Sequence, residues 1–121
     1  MTEAPGNEAA AAPRDRLAAL RGGLRLPLIA APMFLVSGPE LVLAACAAGI
    51  GGAFPAPNAR TVEALAAWLE RVSSGHAALA AAGGRVGPWA LNLVTHSTYD
   101  RLPAELELVE RHRPPLVITA L

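Results

Sequence analysis

The side chains of this chain that could do chemistry sit at the ends of its apolar runs. The run from Leu28 to Ala31 stops at Pro32-Met33, and the run from Trp89 to Val94 is interrupted by Asn92. His96 follows in the polar loop THSTYDR, and Thr119 stands near the end of a run from Leu116 to Ala120. Proline removes a backbone donor and ends strand pairing. Methionine is flexible and polarizable, suited to contact with an aromatic ring, and an asparagine amide both donates and accepts hydrogen bonds. All ten basic residues are arginine, so a Schiff-base amine and a P-loop lysine are both excluded. Cys46, the single cysteine, lies mid-helix with no histidine near it in sequence. That pattern reads as a buried small side chain rather than a nucleophile.

These residues need elements to hold them. Leu26 to Ala56, LPLIAAPMFLVSGPELVLAACAAGIGGAFPA, reads as strand, helix, strand within about thirty residues, the spacing of a βαβ unit. The first strand, Leu28 to Ala31, is apolar at nearly every position, as a parallel strand covered on both faces should be. Ser37 and Glu40 have capping-box spacing, predicting a helix to Ala48 with Gly49 just past its end. A second strand spans Ile50 to Phe54. The turn PAPNAR follows, and Thr61 caps a helix whose buried stripe is Val62, Leu65, Leu69 and Val72, widened by Trp68. Ser73 to Gly87 reads as a Gly- and Ala-rich extension with an extra helical turn near Ala77 to Ala82. Trp89 to Val94 is the third strand. A helix from Pro103 to His112 places Leu102, Leu106 and Val109 on one face, and Leu116 to Ala120 is the fourth strand. The order β-α-β-α-β-α-β predicts an α/β fold with a parallel sheet, whose ligands meet the carboxyl ends of the strands.

Composition narrows the classes. Within 121 residues, 53% are apolar but only 4% aromatic, so the core must come from Ala, Leu and Val. Ten basic and ten acidic residues cancel, leaving no electrostatic footprint for nucleic acid or an anionic membrane. No unbroken apolar run reaches about eighteen residues, and Glu3 and Glu8 precede any basic residue, which argues against a secretory or transit peptide. A cytoplasmic protein is expected. Residues 1–23 read as a leader, disordered to about residue 13, with a short helix from Arg14 to Arg21 stopped by Gly22-Gly23. Residues 24–121 form one domain. A closed eight-stranded barrel takes about 250 residues, so four strands amount to half of one, and a truncated reading frame is the expectation.

LPLIAAPMFLVSGPELVLAACAAGIGGAFPA, WALNLVTH and PPLVITAL, taken in order, resemble the first half of a nitronate monooxygenase, a family formerly called 2-nitropropane dioxygenase. The resemblance covers Leu24 to Leu121. Its most specific parts are AAPM, GAFPA and the Asn-Leu pair Asn92-Leu93. It implies the first four strands of a TIM-type (β/α)8 barrel that holds FMN without a covalent bond and oxidises alkyl nitronates with dioxygen. By position, Ala31, Pro32 and Met33 would pass beside the isoalloxazine ring and Asn92 would bond its polar edge. Thr119 would line the pocket or serve as an ordinary β-branched strand residue. His96 is the catalytic candidate within the chain. It would orient a nitronate or tune the flavin, or else bond Asp100 or Thr98 as a loop residue. The family's main base is expected beyond Leu121, as are the glycine-rich phosphate loops after strands seven and eight. Tight FMN binding and activity are therefore not expected of this chain alone.

Other residues have plainer readings. Gly51-Gly52 would permit close backbone approach to a ring or ease helix–strand packing. Asn58 and Arg60 occupy the second βα loop, where Arg60 contacts substrate or is a surface charge. His112 suits a helix C-terminus, and His76 reads as solvated. No metal site is indicated. Two alternatives to the nitronate reading stand. One is an enoyl reductase on a related FMN barrel. The other is a noncatalytic half-barrel that associates with itself or another chain through open sheet edges.

Overall fold

The computed structural model describes residues 12–120, so the start of the leader and Leu121 lie outside it. Its elements run α1 (Pro13–Gly23), β1 (Ile29–Ala30), α2 (Pro39–Ala47), β2 (Gly51–Pro55), a 3-10 turn (Ala56–Asn58), α3 (Val62–Ala81), β3 (Trp89–Val94), α4 (Leu102–His112) and β4 (Leu116–Ala120). The four strands form one parallel sheet in the order β1-β2-β3-β4. The protein is thus α/β, with strands and helices alternating.

Three glycines set how closely the layers approach. A Cβ on Gly52 would lie 2.6 Å from the Val42 carbonyl oxygen, so α2 rests directly on the β2 backbone. A Cβ on Gly75 would stand 2.7 Å from Leu43 Cδ1, which seats that side chain of α2 against α3. At Gly49 the backbone φ is +86°. Its N–H bonds Cys46 O at 3.0 Å and the Ile50 N–H bonds Ala45 O at 3.2 Å, the Schellman arrangement expected of a C′ glycine. At the other end of the next helix, Thr61 Oγ1 accepts the Ala64 N–H at 3.0 Å, a working N-cap.

The core lies on one side of the sheet. Phe54, Leu91 and Leu93 join Val42, Cys46, Leu65, Leu69, Val72 and Leu108 in a single buried cluster. Each fully buried large side chain contributes about 1.5–3 kcal/mol. Trp68 stacks edge-on against Phe54 with ring centroids 5.7 Å apart. The opposite face carries Ile29, Ala53, Ala90, Asn92 and Ile118, as strand alternation and the register require. On this face Ala53 and Ala90 are buried and Asn92 and Ile118 half-buried, whereas Ile29, expected to be covered on both faces, is exposed on the edge strand.

Four local expectations need correction. Ser37 is not the N-cap of α2, since Gly38 occupies that position without a side-chain cap bond. Glu40 pairs instead with Arg71 at 3.2 Å. The segment after Val72 is not a separate extension, because α3 runs unbroken through Gly75 to Ala81. Half-buried His76 on that helix bonds the Gly87 carbonyl at 2.8 Å and is not a solvated side chain. On α4 the covered positions are Glu105 and Leu108, whereas Leu106 is exposed. Leu102 and Val109 only border the core.

The contacts at Gly52 make a sharp test. Gly52→Ala forces a methyl into the α2 backbone and is expected to cost about 1–3 kcal/mol, the usual range for overpacking. Gly22→Ala, in the last turn of α1 with nothing within 4 Å of its new Cβ, is expected to be neutral or to stabilise by up to about 1 kcal/mol. Urea midpoints of the two variants check both.

Candidate functional site

The loop from β1 to α2 is a closed apolar turn. The Met33 carbonyl accepts the Val36 and Ser37 N–H groups at 3.2 and 3.0 Å. Ser37, buried to 2% exposure, accepts the Met33 N–H on its hydroxyl at 2.8 Å. Its hydroxyl also points to Ala31 O at 3.5 Å, so both of its bonds lie within the loop, one residue before the Gly38 cap. Asn58 completes the closure from the far side of β2. Its Oδ1 accepts the Leu35 N–H at 2.9 Å, and its Nδ2 donates to Met33 O at 2.9 Å and Ser37 O at 2.8 Å. These bonds hold Leu35 at φ 65°, a left-handed conformation that side-chain-bearing residues seldom adopt. The product is a knuckle with Met33 42%, Phe34 68%, Leu35 66% and Val36 66% exposed.

Asn92 lies level with this knuckle. It is in register with Pro55 on one side and Ile118 on the other. Pro55 stands three residues past Gly52, and Met33 stands three past Ala30, the partner of Gly52. Met33 and Asn92 are therefore both at the carboxyl end of the sheet, not at opposite ends. The Asn92 Nδ2 donates to Ile118 O at 3.1 Å and Leu93 O at 3.3 Å. Its Oδ1 accepts no hydrogen bond among the described residues, on the face opposite the helix-side core. An apolar ledge beside one free carbonyl acceptor suits a flat ring with an N–H on its edge.

Ala31 and Pro32 carry the chain from β1 into the knuckle, Ala31 exposed and Pro32 half-buried. Thr119 goes elsewhere. It pairs with Leu93, a member of the helix-side core, so it stands on the face opposite Asn92. His96 is exposed in the loop after β3. Its Nδ1 accepts the Thr98 N–H at 3.2 Å and lies 2.7 Å from the Thr98 hydroxyl. A nitrogen that accepts a backbone N–H carries no proton, which leaves the neutral ring protonated on Nε2. Gly51 and Gly52 serve packing, against Ile29 and α2 respectively. Arg60 is an exposed side chain.

Sequence reasoning gave Asn58 no specific role and passed over Glu105. Asn after Pro in PAPNAR signals a turn, but its bonds cross 21 to 25 residues, which no local pattern reveals. Glu105 is completely buried, with Tyr99 Oη donating to its Oε1 at 2.5 Å and Arg101 Nη2 lying 3.2 Å from the same oxygen. Burial chiefly, and then the bond to Glu105, keep the Tyr99 phenol protonated well above its ordinary range. The only sequence trace of this cluster is the i,i+4 spacing of Arg101 and Glu105. A groove of about 330 Å³, bordered by Gly38, Trp68 and Arg71 and by Val36 of the knuckle, opens on the helix layer and does not include Asn92. Among the described residues, no group of three or more His, Cys, Asp or Glu could hold a metal ion, and no helix is long and apolar enough to cross a membrane. No family model, curated protein or solved structure matches this chain.

Cys46 lies near the amino end of β3, away from the knuckle, with its thiol 3.6 Å from Pro88 O, and burial pushes its pKa up to about 11. The folded thiol keeps its proton to higher pH than the unfolded one. The stability this contributes is fully present below about pH 9 and lost as pH rises through about 11. The stability difference between wild type and Cys46→Ala, followed by chemical denaturation from pH 7 to 11, should shrink above pH 9. A pH-independent difference would contradict the assignment.

Proposed function

We propose that this chain forms one wall of an FMN site, the first four βα units of a TIM-type barrel that oxidises alkyl nitronates with dioxygen. The observation that carries the reading is the placement of the Met33 knuckle and Asn92 at the same carboxyl end of the sheet, with Asn92 on the face opposite the helix-side core. Sequential strand order with every core helix contact on one face supports a barrel wall. A doubly wound sheet would instead place helices on both faces and reverse its strand order. The resemblance of AAPM, GAFPA and NLV to nitronate monooxygenases names the flavin and the substrate class.

The residues present fit the ring portion of FMN. Met33 offers a polarizable contact, and the free Asn92 Oδ1 offers an acceptor to a ring N–H. They do not offer a phosphate cradle, which in this barrel type follows strands seven and eight. Bound flavin would supply the electron transfer that oxidises the nitronate. Pro32 and the Asn58 bonds would hold the closed turn in place for contact with the ring. His96, whose Nδ1 accepts the Thr98 N–H, would use Nε2 to donate a hydrogen bond to a nitronate oxygen. Thr119, on the helix side, has no part in this arrangement.

Flavin fluorescence titration of the full chain tests the reading. Weak, saturable quenching is expected, equal for FMN and riboflavin because the ring and not the phosphate is held. Asn92→Leu should weaken it about tenfold, the loss of roughly one hydrogen bond. Absence of saturable quenching, or quenching indifferent to Asn92, would overturn the proposal.

A further inference from the structure

A carboxylate at 0% exposure on a surface helix needs a reason, because burying a charge is costly unless it is paired and hydrogen-bonded. Glu105 has two partners, and both come from the loop between β3 and α4. Tyr99 donates its phenolic hydrogen to Oε1. Arg101 lies 3.2 Å from that oxygen, paired in charge though not aligned for a hydrogen bond. Arg101 also reaches out of its own loop, its Nη1 donating to the Ala59 carbonyl at 2.9 Å in the segment that follows β2. Within that same segment Asn58 grips the knuckle. One chain of polar contacts therefore runs from α4 through three successive loops at the carboxyl end.

We propose that Tyr99, Arg101 and Glu105 form a latch that makes the β2–α3 and β3–α4 loops a single body, with Glu105 as the positioning residue for the loop that carries His96. A charge-assisted bond in a buried setting is among the stronger polar contacts. Removing one member leaves its partners unpaired, so the loop opens rather than relaxes. The backbone bond from Tyr99 N to His96 O at 3.0 Å couples the latch directly to the histidine. The latch stands whether or not a flavin binds, since every group in it belongs to this chain.

Trypsin reads the latch through the bond after Arg101, with the bond after exposed Arg85 as an internal control. Tyr99→Phe keeps the ring and deletes the hydroxyl. Cleavage after Arg101 is expected to rise by roughly tenfold or more, the loss of one charge-assisted hydrogen bond. Cleavage after Arg85 should stay close to wild type. Glu105→Gln keeps the shape and removes the charge, and should raise the same cleavage selectively. Nitrogen NMR of the His96 ring supplies a second reading. Wild type should show one tautomer, protonated on Nε2, and Tyr99→Phe a mixture. Equal acceleration at both arginines would show a contribution to global stability only and overturn the latch. Unchanged cleavage after Arg101 with an unchanged His96 tautomer would overturn it as well.

Discussion

Three hydrogen bonds from one carboxamide organise the carboxyl end of this sheet. Asn58 takes the N–H of Leu35 and gives its own two hydrogens to Met33 and Ser37. Without that exchange the Leu35 N–H would lose its partner, Met33 O would keep only the turn bonds from Val36 and Ser37, and Leu35 would lose the bond at its left-handed position. The apolar side chains of the knuckle face solvent because the turn beneath them is closed by polar bonds, not because they found no core to join. A surface prepared in this way is preorganised, so a flat ligand would meet it at little ordering cost.

The sheet beneath is shaped for the same end. Glycine at position 52 lets α2 lie on the backbone of β2, and Gly75 lets α3 close against Leu43. Both approaches draw the helices onto one face and concentrate the core there. Phe54, Leu91 and Leu93 fill that side, which leaves Asn92 and its register partners Pro55 and Ile118 as a row across the other. Alternation along three strands thus separates a packing face from a polar-edged one within five or six residues. The latch at Glu105 fixes the loop beyond that row from the helix side.

Much of the fold was legible because punctuation bounds the apolar runs. Trp89–Val94 lies between Pro88 and the polar THST, and Leu116–Ala120 follows Pro114-Pro115, so both strands were placed to the residue. Gly49 and Thr61 announce the end of one helix and the start of another by chemistry that is local. What escaped was decided by partners distant in sequence. Ser37 satisfies a capping box on paper, but the helix begins one residue later, with Gly38 at the cap, and the Ser37 hydroxyl bonds Met33 and Ala31 in the loop. Gly75 reads as an interruption until Leu43 is seen to need its space. Glu105 draws no notice in the sequence, because the Tyr99 and Arg101 contacts that bury it depend on how the loop folds over α4. Thr119 lies in a strand of the right kind, yet its pairing with Leu93 sends it to the other face. A position in sequence does not state register.

The most direct measurement of the central claim is amide hydrogen exchange at Leu35 and Ser37, in wild type and in Asn58→Ala. The account predicts protection of both amides in wild type. It predicts loss of that protection in the variant, while Leu91 and Leu93 in the core strand keep theirs. Free exchange at Leu35 in wild type, or protection that survives loss of the Asn58 carboxamide, would contradict it.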